Sequence, residues 1–170
     1  QILPEIDQDT VLVLHQIGSH GPSYYLRYPE AFERFKPACR TANFSACTPE
    51  EVINAYDNSI LYTDKVLHDL IALLSAQDDL ASAVLYISDH GESLGENGLY
   101  LHGAPYFMAP DEQTKVPMLF WQSQAFVKSV GIDDGCLKAK AAAAYSHDHL
   151  FHSLLGLTGV DTAERAPELD

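Results

Sequence analysis

Basic residues are scarce in this chain, and long apolar runs are missing. Ten Lys and Arg stand against 24 Asp and Glu, for a formal net charge of −14. A nucleic-acid surface needs a basic face to neutralise phosphates, so no nucleic-acid partner is expected. The acid excess suits a solvated surface, or carboxylates that hold cations. A membrane span needs about 20 consecutive, mostly apolar residues, and no run approaches that length. The chain opens Gln1-Ile2-Leu3-Pro4, with no initiator Met and no charged region typical of a signal peptide. An excised or processed fragment is expected, so the chain carries no information on how its parent is anchored.

Cysteine is sparse too. There are three, Cys39, Cys47 and Cys136. The first two flank "CRTANFSAC". That spacing suits either a small disulfide-closed loop made in an oxidising compartment or two reduced surface thiols. No CxxC pair is present, so a zinc site built on thiolates does not fit. Cys136 is the odd one, either a buried thiol or one whose partner lies elsewhere.

What remains is an ordinary globular composition, 46% hydrophobic and 20% charged over 170 residues. This predicts one domain or a piece of one, without extensive disorder. Three short apolar runs, Val11 to Leu14, Ala83 to Ile87 and Val116 to Trp121, end in turn formers and do not alternate. They read as strands buried on both faces of a parallel or mixed sheet. Between them, "TPEEVINAYDNSILYTDKVLHDLIALLSAQ" starts with Thr48 as N-cap, Pro49 in the first turn and Glu50-Glu51 behind it. Its apolar spacing of three and four predicts one long amphipathic helix. A second helix is predicted with Ser146 as N-cap, Leu150, Phe151, Leu154 and Leu155 as its apolar stripe and Gly156 or Gly159 near its end, while "LKAKAAAAY" is undecided and "APDEQTKVP" reads as a surface loop. The fold class is α/β.

In open α/β sheets, ligands gather beyond the carboxyl ends of the strands. There the chain places His20, in "GSHGP", and Asp89-His90, in "SDHGESLGENGLYLHG". His102 closes that second, Gly-rich loop and can fold back to the same place. Carboxylate and imidazole together form a favoured ligand mix for Zn²⁺. Each residue also has a plainer reading. Asp89-His90 can be a turn or cap, and His20 and His102 can be loop residues bonded to backbone. His15 at the first strand end reads as structural, and His68 lies on the long helix and reads as surface. His147, His149 and His152 read as helix-start residues, His147 alternatively as a support for a metal ligand. Glu92 and Glu96 read as surface carboxylates, alternatively as ligands or a base. No Ser or Thr sits in a turn suited to a nucleophile. Ser88 is nearest, but as a strand residue next to Asp89 it should point the other way.

Three segments, "LHQIGSHGPSYYLRYP", "INAYDNSILYTD" and "SDHGESLGENGLYLHGAPYFMAPDEQTKVPMLFW", resemble the phosphoethanolamine transferases that modify lipid A, including those conferring polymyxin resistance. The likeness runs from about Thr10 to about Val160. "DHG" alone indicates only the wider alkaline-phosphatase and sulfatase superfamily. The resemblance implies a sheet flanked by helices, with residues 1–170 forming the C-terminal portion of one catalytic domain. It implies N-terminal membrane helices outside this chain, and a location on the periplasmic face of the bacterial inner membrane. It implies Zn²⁺ held by Asp89 and His90, with His20 and His102 as catalytic residues that bind a second zinc or the substrate phosphate. It implies a Cys39–Cys47 disulfide, and a partner for Cys136 beyond Asp170. The family's nucleophilic Thr and its upstream Glu ligand have no counterpart here, so the isolated chain is expected to be inactive and to bind zinc weakly. The implied reaction is ping-pong. The Thr takes phosphoethanolamine from phosphatidylethanolamine, and a lipid A phosphate then takes it from the Thr. Added amines lower the negative charge of the membrane, which weakens binding of cationic peptides. A phosphoglycerol transferase, sulfatase or phosphatase of the same superfamily is the alternative enzyme, although "GENGLYLHG" argues against it. A metal-binding remnant without chemistry is the alternative outside enzymes.

Overall fold

The computed structural model describes residues 3–170. In chain order the main elements are helix α1 (Pro49–Ser75), strands β1 (Ala83–Ile87), β2 (Ser93–Leu94) and β3 (Tyr100–Leu101), helix α2 (Asp111–Thr114), strand β4 (Met118–Gln122), and helices α3 (Gln124–Val130), α4 (Asp134–Lys140) and α5 (Asp148–Leu157). They divide into two compact units. One comprises the chain up to Leu70 with Ile87–Met118, the other Ile71–Tyr86 with Leu119–Asp170.

The first unit is organised by the start of α1. Thr48 and Glu51 cap it reciprocally: the Thr48 hydroxyl accepts from the Glu51 N–H at 3.2 Å, and the Glu51 carboxylate accepts from the Thr48 N–H at 2.7 Å. Two N–H groups that a helix start leaves orphaned are thereby satisfied. Val52 and Ala55 then face inward, 1% and 0% exposed, and pack with Tyr24 and Cys39. Burying a side chain of Val size is worth about 1.5–3 kcal/mol. Tyr24 stacks on Phe44 and meets Tyr56 edge-on, with ring centroids 5.6 and 5.3 Å apart.

Among the described residues the long segment before α1 has no strand, so side chains and one covalent bond hold it. Asn58, fully buried one turn beyond Ala55, accepts the N–H groups of Arg34 and Phe35 at 2.8 and 2.9 Å. Its amide donates to the Phe35 carbonyl at 2.9 Å. The Cys39 N–H donates to the Glu51 carbonyl at 2.9 Å, and Cys39 and Cys47 form a disulfide.

After β1 the chain turns against the segment that carries α2. The Gly91 N–H donates to the Gln113 carbonyl at 3.0 Å. A Cβ at Gly91 would lie 1.9 Å from the Glu112 carbonyl oxygen, so only glycine lets the two backbones meet. β2 and β3 pair antiparallel, Ser93 opposite Leu101 and Leu94 opposite Tyr100. The turn between them uses Asn97 and Gly98 at φ 54° and 76°, left-handed values that Asn and Gly tolerate. Gln113, 7% exposed, supports the ladder from behind, donating to the Ser93 hydroxyl at 2.8 Å and accepting the Ala104 N–H at 3.2 Å.

In the second unit, Ser123 caps α3 through the Phe126 N–H, and Ser82 and Ser123 exchange two hydrogen bonds of 2.8 and 3.0 Å. Gly131, left-handed at φ 74°, ends α3.

The predicted strand Ala83 to Ile87 and the predicted long helix are present. Other expectations need correction. Val11 to Leu14 is not a strand; no described segment pairs with it, and its side chains are 51–84% exposed. A strand exists only through a neighbour's hydrogen bonds, which an apolar run cannot supply for itself. The third strand starts at Met118, since Pro117 has no N–H to give a ladder. Ser146, expected as the N-cap of the last helix, lies one residue before the observed cap His147, although its hydroxyl does accept the Asp148 N–H at 3.3 Å. "APDEQTKVP" contains α2 and the buried Gln113 rather than only a surface loop. The undecided "LKAKAAAAY" begins within α4. Cys136 is a free, exposed thiol rather than a buried one.

Two substitutions test this architecture by denaturant unfolding. Gly91→Ala should lower stability by about 1–3 kcal/mol through overpacking against a carbonyl; unchanged stability would contradict the close approach. Asn58→Leu takes the shared acceptor away from the Arg34 and Phe35 N–H groups and should lower it by about 1–3 kcal/mol. A neutral result there would mean that the 34–35 segment is held by something else.

Candidate metal centre

Three loops of the first unit supply the site. The first passes through Gly18 at φ 57° and brings the His20 N–H within 3.3 Å of the Ile17 carbonyl. The His20 carbonyl in turn accepts from Arg27 Nε at 2.9 Å. Gly21 follows, packed so closely that a Cβ would meet Leu101 Cδ2 at 2.6 Å and the Tyr24 hydroxyl at 2.9 Å. The second loop leaves β1. There the Ser88 hydroxyl donates to the His90 carbonyl at 2.7 Å, and the His90 N–H donates to Asp89 Oδ1 at 3.1 Å. His90 Nδ1 lies 2.9 Å from the Gly91 carbonyl. A carbonyl only accepts, so Nδ1 is the donor, and in the neutral ring Nε2 keeps its lone pair. The third loop leaves β3 through Leu101, whose φ of 66° is uncommon for a bulky residue. His102 and Gly103 follow.

These loops bring His20, His90 and His102 together. Each ring offers one nitrogen, and the three atoms lie within 4.8 Å of one another. Ring centroids are 3.9 Å apart for His90 and His102, 5.0 Å for His20 and His102, and 6.2 Å for His20 and His90. The cluster is open to solvent on one side: His20 is exposed, while the His90 and His102 side chains are 36% and 28% exposed. Asp89 stands beside the cluster. Its carboxylate is 81% exposed, with Oδ2 3.9 Å from His90 Nε2. Three convergent imidazoles make a donor set suited to Zn²⁺.

His15 and His68 are exposed. His149 Nδ1 accepts the Ser146 N–H at 3.1 Å, and His152 Nδ1 accepts the Ala166 N–H at 3.0 Å, so both serve local backbone in the second unit.

The reading of Glu92 as a surface carboxylate needs correction. It is 7% exposed, with Oε1 2.8 Å from His102 Nδ1 and Oε2 accepting the Gly21 N–H at 3.1 Å. Glu96 accepts the Leu94 N–H at 2.6 Å. Tyr24 was outside the sequence-based candidates. Its phenol, 1% exposed, is pushed far above the ordinary tyrosine value, first by burial and then by the charge of Glu92, and so stays protonated. A carboxylate two residues after a candidate ligand was visible in the sequence. Its burial was not, because it depends on loops far apart in the chain.

The sulfatase family profile matches residues 1–160. Phosphoethanolamine transferase EptA of Escherichia coli K12 is 49% identical over 164 residues, which cover 95% of this chain and 30% of that protein. The crystal structure of the soluble domain of lipooligosaccharide phosphoethanolamine transferase A from Neisseria meningitidis superposes with a TM-score of 0.95 at 51% identity, covering 99% of this chain and 51% of that one. The C-terminal periplasmic domain of EcEptC from Escherichia coli, solved as a complex with Zn, is similar at a TM-score of 0.71 and 26% identity, over 88% of this chain and 41% of that one. The chain thus spans about a third of the curated relative's length and about half of the solved soluble domain. By the profile match and by its α/β fold, the chain belongs to the sulfatase family, and within it is similar to phosphoethanolamine transferases.

Proposed function

We propose that this chain forms part of a zinc-dependent transferase that moves phosphoethanolamine from phosphatidylethanolamine to a lipid A phosphate. The observation that carries this reading is the convergence of three imidazoles from three separate loops. His20, His90 and His102 would hold the metal, with Asp89 adding a carboxylate beside His90. When bound, zinc supplies Lewis-acid polarisation of a phosphoryl oxygen. The exposed side of the cluster admits a headgroup without rearrangement of the core. As the alternative to holding metal, His20 and His102 in their doubly protonated form would donate to phosphate oxygens and offset charge that develops there.

The nucleophile in this reading is a Thr outside these 170 residues. Ser88 does not take its place, since its hydroxyl already donates to the His90 carbonyl. The isolated chain is therefore proposed to lack transferase activity. The Cys39–Cys47 disulfide fits an oxidising compartment, which supports a location on the periplasmic face of the inner membrane. Anchoring would come through helices elsewhere in the parent protein, as no helix among the described residues is long and apolar enough to cross a membrane.

Calorimetric zinc titration tests the metal. The chain should bind zinc, and His90→Ala and Asp89→Ala should each weaken binding, by at least about tenfold for the histidine. No binding by the unmodified chain, or affinity in the variants unchanged from it, would contradict the proposed ligands. Phosphoethanolamine transfer by the isolated chain to a lipid A acceptor should be undetectable; turnover would show that the nucleophile lies within it.

A further inference from the structure

Glu92 is a buried carboxylate that this reaction scheme leaves without a role. Its side chain is 4% exposed. A carboxylate is put there at a cost unless hydrogen bonds replace the water it loses. It has two such bonds, and they run to different loops. Oε2 accepts from the N–H of Gly21, the residue after His20, across 71 positions of sequence. Oε1 meets His102 Nδ1 at 2.8 Å, across ten. No hydrogen bond is observed between backbone groups of the His20 and His102 loops among the described residues. The carboxylate is thus the polar link between them, beside the apolar contact of Leu101 with Gly21.

We propose that Glu92 is a positioning residue that joins the His20 and His102 loops and, by accepting the His102 Nδ1 proton, holds that ring with the Nε2 lone pair free for the cluster. A neutral imidazole carries its proton on one nitrogen and accepts on the other. An ionised carboxylate only accepts, so Nδ1 must be the donor and Nε2 the acceptor. His90 reaches the same state through the Gly91 carbonyl. Two of the three rings then present Nε2 before any ligand arrives. Supporting hydrogen bonds of this kind on a metal-binding imidazole are worth about 10–100-fold in metal affinity. The neighbouring Tyr24 phenol, kept protonated, adds no second negative charge beside the carboxylate.

Glu92→Gln separates positioning from bulk. The amide keeps the shape but has one accepting oxygen, which can serve the Gly21 N–H or His102 Nδ1, not both. Two-bond ¹⁵N–¹H correlation spectra of ¹⁵N-histidine-labelled, metal-free chain read the tautomer directly with the rings neutral. In the unmodified chain His102 should be the Nδ1–H form. In Glu92→Gln a substantial Nε2–H population should appear at His102 while His90 is unchanged, and zinc affinity should fall about 10–100-fold. An Nε2–H ring at His102 in the unmodified chain overturns the proposal, even if the variant fails to fold. A folded variant with unchanged tautomer and unchanged zinc affinity overturns it as well. The zinc readout rests on the metal reading above, and the tautomer does not. The expected tautomers with no zinc binding by any form would support the positioning role and remove the metal reading instead.

Discussion

The site depends on one buried carboxylate. Glu92 is enclosed between the His20 loop and the β2–β3 ladder, and it has acceptor atoms for both. Loops without secondary structure do not hold three imidazoles in register through propensity. They do so when their backbones are fixed at a few points by bonds that are expensive to leave unmade. Gly91 against the Glu112 carbonyl is one such point, and Gln113 between Ser93 and Ala104 is another. Each ties the histidine-bearing loops to a neighbouring segment of the same unit.

The platform beneath is helical rather than a sheet. The first half of α1 is anchored by its capping box and by Val52 and Ala55, and it offers Asn58 as a substitute for a strand's ladder. The irregular segment 20–47 takes its hydrogen bonds from that side chain, from the Glu51 carbonyl and from short turns, with the Cys39–Cys47 bond closing its last loop. Buried backbone polar groups must be paired somewhere, and here the long helix does much of what a neighbouring strand would do. The open side of the histidine cluster is compatible with this, because none of the three rings has to serve the core. They are free to face a ligand.

Local chemistry was legible in the sequence wherever it was set by near neighbours. The Thr48–Pro49–Glu51 helix start, the strand Ala83 to Ile87 and the grouping of His20, His90 and His102 around glycine-rich turns all follow from residue type and spacing. What depended on distant partners was not legible. Val11 to Leu14 carries the composition of a buried strand, but no described segment pairs with it and it is exposed. Glu92 and Gln113 are polar residues in glycine- and proline-rich loops, and their burial is decided by segments many positions away. Asp89 shows the same limit in reverse. It adjoins His90 in sequence, but residue order alone did not show that its carboxylate stays largely exposed, with Oδ2 3.9 Å from His90 Nε2.

The central claim is that the three histidines form one metal centre. Crystals of the chain grown with zinc, measured on both sides of the zinc absorption edge, test it most directly. The account predicts an anomalous peak bonded at about 2.0–2.1 Å to one ring nitrogen each of His20, His90 and His102. Zinc found only at carboxylates elsewhere on the acidic surface, or no ordered zinc at the cluster, would contradict it.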